Sequence, residues 1–464
     1  MRGDGALPWP ARVLDAIAAG ALLLALSVFL GGGFREWTPF GRLSVTAAAR
    51  PAVAGVLALA FRHWWWRSPT FSARVMSFGR RRLLSADARI VWPLFTATRA
   101  GVLAVGFLGI VLLGYAPNTP PYRIYNNDFL DMPARWDTGW YLGIATHGYE
   151  FDAARITAQQ NIAFFPVYPM LMRYGSIFAG RQMLWTGVAV SFVTFFIALL
   201  YLLKLARRYV DDDAAAIGAA LLASYPFAFF FSTAYTESLF LLTIVAACYH
   251  FERDELWQAA AWGVIAGLSR PNGCLLSVVL GLLVVTRRGV TTRTPPPVRQ
   301  IARRLAVAAM PGIGMLGYSA FIYQLTGNPL QWAAQNAAWG RVYRGVDLLV
   351  SDQFEAMQGG LYTYASSQPL DLINGSALLL ALASVWPVYR RMGVPYAAML
   401  LVNIVPPLTM GGLLSMGRIT SVIFPMFIWL GAAVPVRQRS GWLLGFAMLQ
   451  ALGAIVFFTW RPLY

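Results

Sequence analysis

The sequence predicts an all-α polytopic membrane protein with a bundle of about 13 transmembrane helices. Of its 464 residues, 58% are hydrophobic and 12% are charged, about half of the ~25% charged residues usual in a soluble domain. The apolar residues form long runs, many of them near the ~20 residues that a helix needs to cross the hydrocarbon layer. Basic residues collect in a few segments between these runs, as in the cytoplasmic loops of membrane proteins.

The expected spans follow from the apolar runs, which must be helical because backbone groups in lipid are satisfied only within such an element. No small-residue cleavage site ends the first run, so we expect it to remain as a helix. In chain order the spans are 15–33, 44–61, 91–115, 183–203, 214–231, 233–251, 257–270, 272–286, 305–324, 372–389, 395–411, 418–435 and 441–459.

Arginine-rich loops orient these spans. The stretches 62–89 and 287–304 carry seven and six arginines, including Arg80, Arg81, Arg82, Arg287, Arg288 and Arg293. Three smaller basic loops follow the same pattern, at 204–208, 390–391 and 437–439. With all five in the cytoplasm, the N-terminus lies inside, the C-terminus outside, and two long loops, 116–182 and 325–371, lie on the outer face.

Two segments are expected to depart from regular spans. Residues 257–286 are too few for two full crossings, and Arg270-Pro271-Asn272-Gly273 interrupts them. Since proline and glycine break helices, we expect two short helices that meet at this turn inside the protein. In the first outer loop, the apolar and proline-containing run 161–166 predicts an interfacial or re-entrant helix.

Asp137 is the strongest candidate for chemistry. It lies in the first outer loop, directly after Arg135 and Trp136, where a carboxylate can accept the proton of an attacking hydroxyl. The alternative is a structural ion pair between Asp137 and Arg135 that fixes the loop.

Three further charged residues map to the outer ends of spans. Glu237 is a candidate site residue because acids beside spans are costly, although a glutamate in a first helical turn also suits the helix dipole. Arg270 and Arg418 are candidates for holding a lipid phosphate, which the forked arginine donors suit. The alternative for each arginine is snorkelling to the interface.

Composition argues against several other functions. The net charge of +17 resides in loops, and no soluble module is present to carry a nucleic-acid surface. Cys248 and Cys274 lie in apolar runs, and His147 has no partners at ligand spacing, so no metal site is predicted. Nucleotide-binding glycine motifs are absent. Lys204 is the single lysine, a bias that favours a GC-rich genome and a bacterial plasma membrane.

The first outer loop carries the motifs Arg-Trp-Asp-Thr-Gly-Trp-Tyr (135–141), His-Gly-Tyr (147–149) and Asn-Ile-Ala-Phe-Phe-Pro-Val-Tyr-Pro (161–169). Further motifs are Ala-Tyr-Thr-Glu-Ser-Leu-Phe (234–240), Ser-Arg-Pro-Asn-Gly (269–273), Ala-Trp-Gly-Arg (338–341) and Gly-Arg (417–418), which leads to Phe-Pro (424–425). Together and in this order, these motifs resemble those of the PIG-V-type mannosyltransferases, a family of GT-C membrane glycosyltransferases with bacterial relatives.

The resemblance implies a GT-C bundle whose large first outer loop is catalytic and contains interfacial helices. It implies inverting transfer of a sugar, mannose above all, from a polyprenyl-phosphate donor to an envelope lipid, glycan or protein, without nucleotide, metal or other cofactor. Asp137 would be the base, and Arg418 and Arg270 would hold the donor phosphate. Substrate-binding candidates are Arg135, Trp136, His147, Tyr149, Asn161, Glu237, Gln335, Trp339 and Arg341.

The predicted organisation is a two-helix extension with its basic loop (1–90), a glycosyltransferase membrane domain (91–435) and a C-terminal helix (436–464). The extension departs from the family pattern and would bind anionic lipids or a partner. The site would face the extracytoplasmic side of a plasma membrane, or the lumen of the endoplasmic reticulum in a eukaryote. Two alternatives remain, a lipid or glycolipid transporter or flippase and a non-catalytic scaffold.

Overall fold

Helices make up most of the structure. The computed structural model describes residues 8–38, 41–67, 69–74, 85–119, 122–286, 297–343 and 345–462. A two-stranded hairpin is the only sheet in these ranges, so the all-α class is confirmed. Arg80, Arg81, Arg82, Arg287, Arg288 and Arg293, on which the predicted orientation partly depends, lie outside the described residues.

The regular elements are, in chain order, α1 (Trp9–Gly31), β1 (Phe34–Thr38), β2 (Gly41–Val45), α2 (Ala49–Trp65), α3 (Ala86–Leu113), α4 (Thr138–His147), α5 (Val167–Ser176), α6 (Met183–Ala206), α7 (Asp212–Ser224), α8 (Glu237–Glu252), α9 (Leu256–Gly267), α10 (Leu276–Val285), α11 (Val298–Ala308), α12 (Met310–Thr326), α13 (Gln331–Ala334), α14 (Val346–Met357), α15 (Leu361–Ser367), α16 (Pro369–Met392), α17 (Val394–Gly411), α18 (Met416–Thr420), α19 (Phe424–Ala433) and α20 (Arg439–Phe458). Short 3₁₀ turns occupy Ala153–Arg155, Asn161–Ala163, Ala228–Ser232, Pro271–Leu275, Gln335–Trp339 and Val436–Gln438.

The chain divides into two compact units, and the smaller comprises residues 1–89 and 170–186. Its helices α1 and α2 pack against each other, and β1 pairs with β2 in antiparallel register, Phe34 opposite Val45. The guanidinium of Arg62 lies 2.9 Å from the carboxylate of Asp15, and both side chains are buried. A buried charge is tolerated only when it is paired, so this ion pair ties α2 to α1.

The larger unit, residues 90–169 and 187–464, contains every candidate site residue. Its helices approach closely where glycines remove side-chain bulk, as is common between membrane helices. A Cβ at Gly218 of α7 would lie 2.6 Å from the carbonyl oxygen of Phe427 on α19. Gly267 of α9 and Gly314 of α12 similarly meet backbone atoms of the facing helix.

The expected break within 257–286 is confirmed. Helix α9 ends at Gly267, the 3₁₀ turn Pro271–Leu275 follows, and α10 begins at Leu276. A Cβ at Gly273 would overlap the backbone of Ala266, so only glycine allows the turn to fold back on α9. The turn therefore presents Arg270 at the junction of two short helices.

Other expected spans are interrupted, and proline explains each interruption. The span 214–231 is helical only to Ser224, because Pro226 follows, and the span 418–435 divides into α18 and α19 before Pro425. The span 305–324 belongs to α11 and α12, which meet at a 41° bend before Pro311. The run 161–166, predicted as an interfacial or re-entrant helix, forms a 3₁₀ turn only at Asn161–Ala163, because Pro166 disfavours helical backbone at the residue before it, and helix α5 begins at Val167.

The described residues contain six helices that are long and apolar enough to cross a membrane, or seven if the bent pair α11–α12 counts as one span. These six begin at Trp9, Ala86, Met183, Pro369, Val394 and Val436. The chain is therefore a membrane-embedded protein with multiple spans. The expected total of about 13 stays a prediction, because the other proposed spans are shorter or broken helices.

Candidate active site

Asp137 lies at the start of α4, in a loop held by a tyrosine from another part of the chain. Its backbone N–H donates to the hydroxyl of Tyr235 at 3.0 Å, and that hydroxyl donates to the carbonyl of Arg135 at 3.3 Å. The preceding residue, Trp136, has a φ of +49°, a conformation that is rare for a bulky residue and persists only where surrounding contacts impose it. The Asp137 side chain keeps 19% of its surface exposed.

The partner of Asp137 is Arg418, which lies 281 positions later in the chain. A terminal nitrogen of Arg418 donates to Oδ2 of Asp137 at 2.5 Å. The structural ion pair with Arg135 that the sequence left open is not formed, because Arg135 directs its guanidinium to other groups. Asp137 is therefore joined to the arginine predicted to hold a phosphate.

Glu237 connects two arginines beneath this pair. Its Oε1 accepts from Nε of Arg418 and from a terminal nitrogen of Arg270, the latter at 2.5 Å. Glu237 is fully buried and is the first residue of α8, where the helix dipole favours a negative charge. Its second oxygen, Oε2, is buried and has no hydrogen-bond partner among the described residues. This carboxylate therefore fixes the spacing of Arg270 and Arg418.

Aromatic rings pack against both arginines. The guanidinium carbon of Arg418 lies 4.6 Å from the ring centre of Tyr235 and 5.3 Å from that of Phe230, and Arg270 lies 5.7 Å from Phe240. Such cation–π contacts compensate a cation for part of the water that it loses on burial. They leave the edges of the guanidinium groups available for oxygen ligands.

Arg341 is the third arginine of this site. Burial lowers the pKa of Arg341 to about 10, and the positive charges of Arg418 and Arg270 act in the same direction, whereas Asp137 opposes them. No ion pair of Arg341 occurs in the described part of the chain. Three arginines thus face two carboxylates, Asp137 and Glu237, and the group carries one surplus positive charge.

An aromatic wall stands beside α4. The rings of Trp140 and Phe164 stack with centres 5.7 Å apart and an angle of 16°, and Trp339 meets both edge-on at 5.7 and 5.6 Å. Trp140 and Trp339 are half-buried. Aromatic faces of this kind offer apolar contact area next to a polar site.

Other predicted site residues lie in structural positions. Arg135 is fully buried and donates to the carbonyl of Phe458 at 2.8 Å and to that of Asp131 at 2.8 Å, and Trp136 packs on Trp460 at 5.1 Å. These contacts join the loop to the end of α20. Arg135 and Trp136 therefore position the Asp137 loop from outside the arginine group.

The remaining candidates brace the loop 116–182. The Tyr149 hydroxyl donates to the carbonyl of Phe164 at 2.7 Å, and the Asn161 amide donates to that of Gly148 at 3.1 Å. The Gln335 amide donates to the carbonyls of Ile156 and Ala158. His147 is exposed at the end of α4. The structure thus brings together Asp137, Glu237, Arg270, Arg341 and Arg418, and places Trp339 in the aromatic wall.

Tyr235 and Trp140 were not among the predicted site residues. Both stand in the quoted motifs, Tyr235 two positions before Glu237 and Trp140 three positions after Asp137. An aromatic residue in an apolar segment is more often part of the core, and only the contacts with Asp137 and with Trp339 distinguish these two.

Residues 118–322 match the model of a family described as mannosyltransferase (PIG-V). The resemblance to PIG-V-type mannosyltransferases is therefore confirmed. The matched segment is a little under half of the chain and includes Asp137, Glu237 and Arg270, whereas Arg341 and Arg418 follow it.

Two relatives of the PIG-V-type segment are the GPI α-1,6-mannosyltransferases 2 of Mus musculus and Cricetulus griseus. The first is 29% identical over 161 residues, which cover 32% of this chain and 31% of the relative. The second is 29% identical over 155 residues, covering 31% and 30%. The chain thus spans about a third of the length of these curated relatives.

Among solved structures, the chain is distantly similar to the Archaeoglobus fulgidus oligosaccharyltransferase. The form tethered to an acceptor peptide has a TM-score of 0.38 and 13% identity, over 79% of this chain and 55% of that one. The form in complex with an inhibitory peptide and a dolichol-phosphate has a TM-score of 0.33 and 14% identity, over 79% and 56%.

Proposed function

We propose that this protein is an inverting GT-C membrane glycosyltransferase that moves mannose from a polyprenyl-phosphate donor to an envelope lipid, glycan or protein. The observation that carries the proposal is the Asp137–Arg418 pair at 2.5 Å; Glu237 joins Arg270 to Arg418, and Arg341 interacts electrostatically with Asp137 and both arginines. A partly exposed carboxylate thus stands next to a group of arginines with one surplus positive charge. The family match supports a mannosyl substrate.

In the proposed reaction, the donor phosphate binds Arg341 together with the free edges of Arg418 and Arg270. Asp137 takes the proton of the acceptor hydroxyl while the hydroxyl oxygen bonds to the anomeric carbon on the face opposite the phosphate. The bond between that carbon and the phosphate oxygen breaks, and its electron pair leaves with the polyprenyl phosphate. The arginines stabilise the negative charge that the phosphate gains, which is the main way in which such sites accelerate transfer.

The distribution of charge along α8 supports an extracytoplasmic site. Glu237 begins this helix, and the other end contacts Arg208, which pairs with Glu252, and Arg304, which pairs with Asp254. Sixteen residues at ~1.5 Å each extend about 24 Å, close to the ~30 Å of the hydrocarbon layer. The end of α8 remote from the site thus meets Arg208 and Arg304 of the basic loops 204–208 and 287–304, and the positive-inside rule assigns such loops to the cytoplasmic face.

The decisive experiment is transfer of radiolabelled mannose from polyprenyl-phosphate mannose by purified protein in liposomes, with membrane extract as acceptor. Asp137→Asn keeps the size of the side chain and removes the base, so we expect transfer to fall ~10²–10⁴-fold. Asp128→Asn is the matched control, since this loop aspartate pairs with Arg123 at 2.6 Å away from the arginine group, and it should transfer normally.

Two outcomes would contradict the proposal. Normal turnover by Asp137→Asn would exclude Asp137 as the base. Movement of the labelled lipid across liposomes without formation of a new product would favour a transporter or flippase.

A further inference from the structure

A cavity of about 330 Å³ lies beside the arginine group and has no role in the reaction described so far. Its walls come from α14, from the start of α16 and from the residues that link α17 to α18. Small-molecule sites in proteins usually occupy ~300–1,000 Å³. The cavity is therefore large enough for a ligand of monosaccharide size.

Two contacts connect the cavity to the candidate active site. Asn374, in its wall, accepts a hydrogen bond from the backbone N–H of Gly417 at 2.8 Å, and the next residue is Arg418. Gly411, also in its wall, lies so close to Arg341 that a Cβ there would be 3.4 Å from the guanidinium. The cavity thus shares one wall with the residues proposed to hold the donor phosphate.

The lining combines hydrogen-bonding groups with apolar surface. Its polar side chains are carboxylates and amides, from Asp352, Gln353, Gln368, Asp371 and Asn374, and the described lining residues include no arginine or lysine. Gln353 donates to Asp371 at 2.9 Å, which orders one side of the lining. Leu349, Leu413 and Leu414 supply apolar surface.

These groups suit hydroxyls and exclude anions. Carboxylates accept hydrogen bonds from hydroxyl groups, and amides both donate and accept. A phosphate or carboxylate ligand would meet the like charges of Asp352, which is exposed, and of Asp371, which is half-buried, and both would repel it. The apolar residues suit the C–H faces of a sugar ring.

We propose that this cavity binds an uncharged, hydroxyl-rich sugar of the acceptor and directs one hydroxyl towards Asp137. The inference rests on the proposed transfer function and adds the class of acceptor to it. It assigns the second outer loop, whose acids Asp352 and Asp371 have no part in donor binding, to acceptor recognition.

The first test locates sugar binding without requiring transfer. Purified protein is photolabelled with a diazirine derivative of methyl α-mannoside, and the modified peptides are identified by mass spectrometry. We expect labels within residues 349–374 and 411–414, and we expect competition by unmodified methyl α-mannoside but not by mannose 6-phosphate. Labelling confined to other segments, or equal competition by the phosphate, would overturn the proposal.

Variants on a single helix provide the second test. Ala356→Trp fills the cavity from α14, whereas Phe354→Trp places the same ring on an exposed position of that helix. Asp352→Asn removes a charge from the lining, and Glu355→Gln does so at an exposed position outside it. We expect Ala356→Trp and Asp352→Asn to reduce photolabelling at least fivefold and both controls to leave it unchanged.

Transfer kinetics separate this inference from the proposed function. If the protein transfers mannose, Ala356→Trp should raise the KM for acceptor about tenfold and leave the KM for donor unchanged. An unchanged acceptor KM would overturn the acceptor assignment while leaving the transferase intact. Labelling of the cavity in a protein that transfers no sugar would instead support the binding site and count against the transferase.

Discussion

Helix α8 carries a buried glutamate near each end, and the two differ in how completely they are satisfied. Glu252 uses both oxygens, since Oε2 accepts from Arg208 at 2.7 Å and Oε1 accepts from the hydroxyls of Tyr396, at 2.5 Å, and Tyr209. Glu237 uses one oxygen for two arginines and leaves the other without a partner among the described residues.

This difference separates a structural network from a reactive one. A fully satisfied buried network stabilises a single arrangement of helices. A buried oxygen without a partner costs free energy, and such departures from good local structure are expected at functional sites. Around Glu237 the departure coincides with a surplus arginine and a partly exposed aspartate, whereas near Glu252 Arg208 pairs with that glutamate and Arg304 pairs with Asp254.

The comparison is tested most strongly by removing each carboxylate in turn. Glu237→Gln removes the negative charge that two arginines share. Breaking a buried ion pair costs about 3 kcal/mol, and an equal loss of transition-state stabilisation lowers the rate about 100-fold. We therefore expect transfer per folded molecule to fall at least ~100-fold. Glu252→Gln should lower the thermal midpoint of unfolding and leave transfer per folded molecule within about twofold.

Radiolabel transfer and thermal unfolding, measured on the same preparations, check both expectations. Equal losses of transfer in the two variants would remove the distinction between the two ends of α8. A fall in stability alone for Glu237→Gln would show that this carboxylate, too, is only structural.

The next largest effect is expected from Arg341, the arginine of the site that has no ion pair among the described residues. Arg341→Gln removes one charged contact to the donor phosphate, worth about 1.5–3 kcal/mol, so the KM for donor should rise ~10–100-fold with a smaller change in kcat. The matched control is Arg253→Gln, which removes an arginine that pairs with Glu255 at 2.8 Å near the other end of α8. Initial rates at varied donor concentration measure both, and an unchanged donor KM for Arg341→Gln would exclude Arg341 from phosphate binding.

Much of the candidate site could be predicted because charged residues are rare in this chain. Asp137 stands out in the loop 116–182, and Glu237, Arg270 and Arg418 each stand out at the end of an apolar run, where charges are costly and indicate function. Their mutual contacts could not be predicted. The pairing of Asp137 with Arg418 spans 281 positions, and sequence proximity instead suggested Arg135, whose donors bind backbone carbonyls.

The fold, like the site, could be predicted where neighbouring residues decide the structure and could not be predicted where distant segments pack together. Apolar runs located the long helices, and the Pro-Asn-Gly break was visible because its residues cannot continue a helix. Pro226 and Pro425 also cannot continue a helix. They lie within apolar runs of spanning length, however, and 214–231 and 418–435 were therefore predicted as unbroken spans. The cavity beside Arg341 depends on packing between α14, α16 and the 411–414 segment, which no local pattern reports.

The smallest expected effect concerns the tyrosines at the two ends of α8. Tyr235→Phe removes the hydroxyl that accepts from the N–H of Asp137 and leaves the ring beneath Arg418. Loss of one neutral hydrogen bond is worth about 0.5–1.5 kcal/mol, so kcat should fall ~2–10-fold. The KM for donor should not change, because the arginines stay in place.

Tyr396→Phe is the matched change at the other end, where the hydroxyl donates to Glu252. It should lower the thermal midpoint and leave kcat unchanged, since Glu252 retains Arg208 and Tyr209. A kcat for Tyr235→Phe equal to that of the unsubstituted protein would show that the loop holds Asp137 without the tyrosine hydroxyl. A fall in kcat without a change in donor KM would identify Tyr235 as a positioning residue. If Tyr235 had only a structural role, both variants would lose thermal stability and neither would lose kcat.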